Sequence, residues 1–191
     1  MGGLLYYRKS YQDFTVEVII ANKVHEESDV KGGNLKLQFN EELALFFNKM
    51  GIAKKMVLAT CAEERTTARM MSCILLENKI YVQTDKCFLK YQQITINPNV
   101  ALCFDNVQIE GVASDIGHPL DKSNECFAVL YKEHFRGSYD KYTGISNERL
   151  LRISPTFITL WEYDNGKPYR VFFDIKEEKV YTEYYECCIT E

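Results

Sequence analysis

Between residues 56 and 115 the chain alternates short apolar runs with tight polar turns. Residues 56–61, 68–76, 79–84, 100–104 and 107–115 are rich in Val, Ile, Leu, Met and Tyr, and each run predicts a strand. A charged hairpin turn is expected over 62–67 and a tighter one at Glu77-Asn78, so the first three runs form an antiparallel meander. Gly111 inside the last run predicts a bulge or bend in a curved sheet. Residues 87–96 break the β pattern. There Phe88, Leu89, Gln92, Ile94 and Ile96 fit a short helix that stops before Asn97-Pro98.

The flanks follow other periods. Phe39, Leu43, Phe46, Phe47 and Met50 recur at helical spacing, with Asn40 as the expected N-cap, Glu41 and Glu42 suiting the positive helix start, and Gly51 closing the element. Ahead of it, residues 14–21 read as one strand, so residues 1–37 are an N-terminal extension and 38–191 a single domain. Downstream, His118-Pro119 opens a turn, and 121–135 reads as a helix capped by Asp121 or Ser123. A polar connection (137–144) and a further helical turn at 147–151 come next. Residues 153–163 and 169–175 form two strands around the turn from Asp164 to Pro168, and the charged, Tyr-rich residues 176–191 lie on the surface. Short meandering strands with a few helices exclude a doubly wound parallel sheet. They predict a mainly β fold with flanking helices, an antiparallel split β-barrel, because closure removes exposed edges.

Composition narrows the function. Apolar residues make up 46% of the 191, enough for a packed core. The net charge of -4 argues against a nucleic-acid partner. No run approaches the roughly 18 apolar residues of a membrane span, and the apolar start has no basic region before it, so neither membrane insertion nor secretion is expected. Seven cysteines at 61, 73, 87, 103, 126, 187 and 188 show no metal or redox spacing, which points to a reducing cytoplasm and thiols packed as small hydrophobes. His25, His118 and His134 stand far apart without ligand partners, so no metal site is expected. No nucleophile elbow, P-loop or dinucleotide fingerprint is present, and no side chain is nominated as catalytic.

What remains is a basic and hydroxyl set. Arg69 lies in the second strand, Thr84 ends the third, and Lys86 and Lys90 occupy the turn and first helical turn beyond it. A helix start offers free N–H groups to an anion, Arg adds a bidentate fork and Lys a point charge. The residues alone leave two readings open: solvated charges at strand ends, or an anion site.

The order of these segments is informative. Met-Val-Leu-Ala-Thr (56–60), Arg-Met-Met (69–71), Ile-Tyr-Val-Gln-Thr (80–84), Lys-Tyr-Gln-Gln-Ile (90–94), Asn-Pro-Asn-Val-Ala-Leu (97–102) and Ile-Glu-Gly (109–111) together resemble the pyridoxamine 5'-phosphate oxidase-like, FMN-binding split-barrel superfamily, on its nitroimidazole-resistance and flavin reductase-like branch. The similarity spans about residues 40–175. It implies a homodimer with FMN in grooves between subunits. Arg69 and Lys90 match phosphate contacts, Thr84 a hydroxyl beside them, and Gln83 and Lys86 flank it. Met70, Met71 and Ser72 match the strand that runs beside the isoalloxazine ring. Asn106 stands where related oxidases often carry a glutamine that reaches the flavin, and Trp161 and Arg170 fall in the hairpin that often faces the partner's cofactor.

The resemblance stops short of vitamin B6 oxidation. Cys73, Ile74 and Leu75 stand where true pyridoxamine phosphate oxidases continue to a lysine, Phe88-Leu89 replaces a serine-arginine pair, and no arginine-rich motif follows Arg170. The function implied is FMN-dependent reduction of a small-molecule acceptor with electrons from NAD(P)H. The alternatives are a flavin, haem or deazaflavin storage or sensing module on the same barrel, and a structural dimer with no ligand.

Overall fold

The computed structural model describes residues 10–11, 14–15 and 33–185, with side chains from residue 37 onward. Strands β1 (Ser10–Tyr11) and β2 (Phe14–Thr15) form a short antiparallel ladder. The strand expected over 14–21 lies outside the described residues beyond Thr15, as do Cys187 and Cys188.

Helix α1 (Gly33–Met50) buries the predicted face of Phe39, Leu43, Phe46, Phe47 and Met50. Phe46 packs edge-on to Phe47 and 5.5 Å from Phe173. Each such side chain contributes of the order of 2 kcal/mol by leaving water. The helix starts ahead of the expected N-cap, and Asn40 is an exposed interior residue, because Leu, Lys and Gln at 35–38 favour helix and carry it back to Gly33. Gly51 closes it at φ +79°, a conformation natural to glycine.

The core strands are β3 (Ala53–Ala62), β4 (Arg65–Leu76), β5 (Lys79–Asp85), β6 (Asn99–Phe104), β7 (Val107–Asp115) and β8 (Glu148–Asp164). The turn expected over 62–67 shrinks to Glu63-Glu64, because β-branched Thr66 and Thr67 extend the ladder with β3 down to Ala62↔Arg65. Glu77 and Asn78 both have positive φ, the mark of a tight hairpin. Sheet order β8-β5-β4-β3-β6-β7, with β7 pairing back to β8, closes a six-stranded antiparallel barrel. Outside the barrel, β9 (Lys167–Asp174) and β10 (Lys179–Tyr184) extend the sheet from the far half of β8. β10 was not anticipated, because Val180 alone of its residues packs against the core.

Met56, Leu58, Ile80, Val82, Leu102, Ile109, Leu151, Ile153 and Ile158 fill the barrel. The predicted irregularity at Gly111 is present: β7 and β8 shift register between Glu110 and Gly111, and a Cβ there would lie 2.8 Å from the Ser154 carbonyl oxygen.

Helix α2 (Leu89–Ile96) caps one end of the barrel. Gln93 and Ile94 face inward; of the other residues expected to build this helix, Leu89, Gln92 and Ile96 are exposed, as is Phe88 just ahead of it. A 3₁₀ turn (Lys122–Asn124), α3 (Glu125–His134), α4 (Arg136–Ser138) and a π-helical turn (Tyr139–Thr143) cover the outside of β4, β5 and β8. Phe127, Leu130 and Tyr131 of α3 pack there on Ile74 and Leu150. Asp121 does not cap this segment with its side chain; its carboxylate instead accepts the His118 N–H at 2.7 Å. The helical turn expected at 147–151 is strand, because Glu148 to Ile153 complete the ladder with β5. No described helix is long and apolar enough to cross a membrane.

Candidate functional site at the open seam

Strands β4 and β5 pair only at Ile74↔Tyr81, Leu75↔Ile80 and Leu76↔Lys79. From Cys73 back toward Arg65, β4 keeps its ladder with β3 and leaves β5. The barrel is split there, and β4 presents an edge that no described strand covers.

A polar corner sits at the end of this split. Arg69 and Thr67 on β4 face Leu58 and Thr60 on β3 across the ladder. The Arg69 guanidinium donates to the Leu58 carbonyl at 3.1 Å and to Thr60 Oγ1 at 2.7 Å, and also bonds Thr67 Oγ1. Both threonine hydroxyls donate to Gln93 Oε1, at 2.6 and 2.7 Å, and Gln93 Nε2 donates to the Arg65 carbonyl at 2.7 Å. One buried glutamine thus fastens α2 to both strands that carry the arginine.

Lys90, in the first turn of α2, places Nζ 4.4 Å from the centre of the Phe88 ring. Burial holds its ammonium below the ordinary lysine value; nearby Arg69 acts the same way, and Glu148 and Asp85 oppose it. Burial likewise holds Arg69 below its usual value. Among the described residues neither cation has a carboxylate within ion-pair distance. The start of α2 has no side-chain cap; the Phe88 and Tyr91 N–H groups donate to the Asp85 and Phe88 carbonyls at 3.1 and 3.0 Å, which leaves the N–H groups of Leu89 and Lys90 open.

Glu148 is buried directly across the ladder from Asp85. Burial, together with repulsion from Asp85, pushes its carboxyl up to about 7, against the pull of Lys90. Tyr91 Oη donates to Asp115 at 2.6 Å, and Arg149 Nε reaches the same carboxylate at 3.0 Å, tying α2 to β7 and β8.

The other predicted site residues divide by location. Met70 is exposed, Met71 packs against the barrel core, and the Ser72 hydroxyl lies beside the Tyr131 phenol. Thr84 is buried at the end of β5. Gln83 points to the opposite face, where Thr143 Oγ1 donates to it at 2.9 Å. Lys86 is exposed, and its N–H donates to the Asn147 carbonyl at 3.0 Å.

Asn106, Trp161 and Arg170 are not brought to this corner within one chain. Asn106 Nδ2 donates to the Trp161 carbonyl. Arg170 stands across the ladder from Trp161, pairs with Glu183 at 3.1 Å, and carries a buried Nε without a hydrogen-bond partner. Trp161 and Glu148 are separated by roughly 40 Å of β8.

Sequence reasoning missed Thr60, Thr67, Gln93 and Glu148. Gln93 follows Lys90 by three positions and so shares its helical side, a signal available in the spacing. Glu148 carried no such signal. His118, one of the three histidines of the chain, contacts the Ile145 carbonyl through Nε2 at 2.9 Å and accepts the Leu120 N–H at Nδ1 at 3.1 Å, so both ring nitrogens are engaged. Among the described residues, no group of three or more His, Cys, Asp or Glu converges.

The arrangement suits a phosphate: two cations without ion-pair partners and an uncapped helix start, beside a strand edge long enough for a planar group to lie along.

No protein-family model and no curated protein matches the chain. Solved structures do. A pyridoxamine 5'-phosphate oxidase-related, FMN-binding protein from Nostoc punctiforme superposes with a TM-score of 0.50 at 15% identity, covering 76% of this chain and 93% of its own. A protein of unknown function from Agrobacterium tumefaciens gives 0.52 at 14%, covering 66% and 57%. A haem-binding protein from Mycobacterium smegmatis gives 0.50 at 11%, covering 71% and 54%. At these identities the likeness shows the fold, and it agrees with the expected split barrel.

Proposed function

We propose that the chain binds FMN at the open seam and acts as a cytoplasmic, flavin-dependent oxidoreductase that reduces a small acceptor with electrons from NAD(P)H. The observation that carries this reading is the Arg69 and Lys90 pair, without carboxylate partners at ion-pair distance, beside the uncapped start of α2. Arg69 and Lys90 hold the phosphate, with Thr84 and Lys86 bordering it. Met70, Met71 and Ser72 offer their backbone to the ring system, and Gln83 braces β5 through Thr143. The bound flavin supplies the hydride and electron chemistry, so no protein acid or base is required of that step. The unpaired thiols of Cys61, Cys73, Cys87, Cys103 and Cys126 suit a reducing compartment.

The flavin-binding unit is a homodimer. In it Asn106, Trp161 and Arg170 of one subunit approach the flavin of the other, and Arg170 Nε gains a partner it lacks within the single chain. The shared fold of the FMN-binding protein from Nostoc punctiforme supports the flavin reading.

The test is the visible spectrum of the purified protein, followed by FMN titration and anaerobic addition of NADH or NADPH. Flavin absorption that the nicotinamide bleaches is expected. A colourless protein that takes up no FMN overturns the proposal. A sharp Soret band identifies haem instead, and bound flavin that no nicotinamide reduces identifies a storage or sensing module.

A further inference from the structure

We propose that the outer edge of β10 is a self-association surface, on which a second copy of the chain adds its own β10 antiparallel about a two-fold axis at Tyr181. Among the described residues β10 pairs only with β9. It is rich in strand formers (Val180, Tyr181, Thr182, Tyr184) and contains no proline to blunt the edge. Every residue of the strand except Val180 is exposed, Tyr181 by 42% and Tyr184 by 61%.

The backbone restricts the register. The Tyr185 N–H donates inward, to the Pro168 carbonyl at 3.0 Å. N–H directions alternate along a strand, so Lys179, Tyr181 and Glu183 also point theirs at β9, whereas Val180 and Thr182 point outward. Two such edges join only where outward groups meet. Pairing Val180 with Thr182 of the second copy satisfies this. It places Tyr181 opposite Tyr181 and Lys179 opposite Glu183, both at non-hydrogen-bonded positions, where facing side chains come closest.

The two-fold axis makes the Lys179–Glu183 match twice. A register centred on Thr182 would instead set Lys179 against Tyr185 and Tyr181 against Glu183, with no charge match. The matching side chains are also held in place. Tyr181 stacks on Phe172 with centroids 4.9 Å apart, and Arg170 fixes the Glu183 carboxylate at 3.1 Å. This surface lies on the extension beyond the barrel and does not depend on the flavin reading.

Charge exchange in trans tests it. Lys179→Glu and Glu183→Lys each set like charges against each other at both matches, so each variant alone should sediment at half the wild-type mass. An equimolar mixture forms heterologous pairs in which every match is again Glu against Lys, and the wild-type mass should return. Circular dichroism of each variant confirms the fold. A wild-type chain that sediments as a monomer overturns the proposal. So does unchanged mass in either variant, as when another segment or another protein covers the edge, or a loss that mixing fails to restore.

Discussion

The β7–β8 seam and the β4–β5 seam close the same barrel in opposite ways. β7 and β8 stay paired from Val107↔Leu160 to Asp115↔Leu151, and at Gly111 the backbones come so close that a Cβ would sit 2.9 Å from Ile153 Cγ2. β4 and β5 touch over three pairs and then part. The first seam spends its backbone groups on the ladder and leaves no room. The second leaves a strand edge open and gathers Arg69, Lys90, Gln93 and Glu148 beside it. A barrel can hold a ligand in its wall only if closure elsewhere is secure, and the tight seam supplies that security.

The sharpest way to break this contrast is Gly111→Val. Its side chain meets backbone that cannot rotate away, so stability should fall by about 3 kcal/mol, read by urea unfolding. A loss below 0.5 kcal/mol, roughly the level of a neutral surface change, would show that the seam has slack.

Next in size, Arg69→Ala should weaken FMN binding about 30-fold, equivalent to ~2 kcal/mol, measured by flavin fluorescence titration. Equal flavin affinity in the variant and the parent would move the phosphate away from the open seam.

Glu148 gives a smaller, pH-dependent effect. Its carboxyl is held up to about 7, so it is neutral below that and charged above it. Charging sets an anion beside Lys90 and opposes a bound phosphate. Flavin affinity should therefore fall as pH rises through about 7, and Glu148→Gln should flatten the profile. Stability follows the same sign. Because the folded value is raised, the contribution is fully present below the ordinary Glu value of 4.5 and is lost as pH rises toward about 7. A profile unchanged by the substitution would separate Glu148 from the site.

Asp115→Asn should have the smallest effect. It removes the carboxylate shared by Tyr91 and Arg149, a partly exposed contact worth about 0.5–1 kcal/mol, and hydrogen exchange in α2 should rise without change elsewhere. Unchanged protection of α2 would show that Gln93 holds the helix by itself.

Much of this molecule was legible in one dimension. The apolar face of α1, the meander from β3 to β5, the short α2 and the irregularity at Gly111 all follow from local periodicity and turn chemistry, which act between near neighbours. Elements governed by distant partners were not legible. Residues 147–151 read as helical turn but extend against β5, and β10 reads as charged surface but adds to β9. The sequence by itself determined that an antiparallel split barrel forms, and it marked Arg69 and Lys90 as the cations worth following. Only the tertiary structure decided where the barrel opens, that Gln93 links both strands of the polar corner to α2, and that Glu148 stands buried beside Lys90. The reason is physical: strand pairing across long stretches of chain sets which side chains share a face, and burial sets their charge.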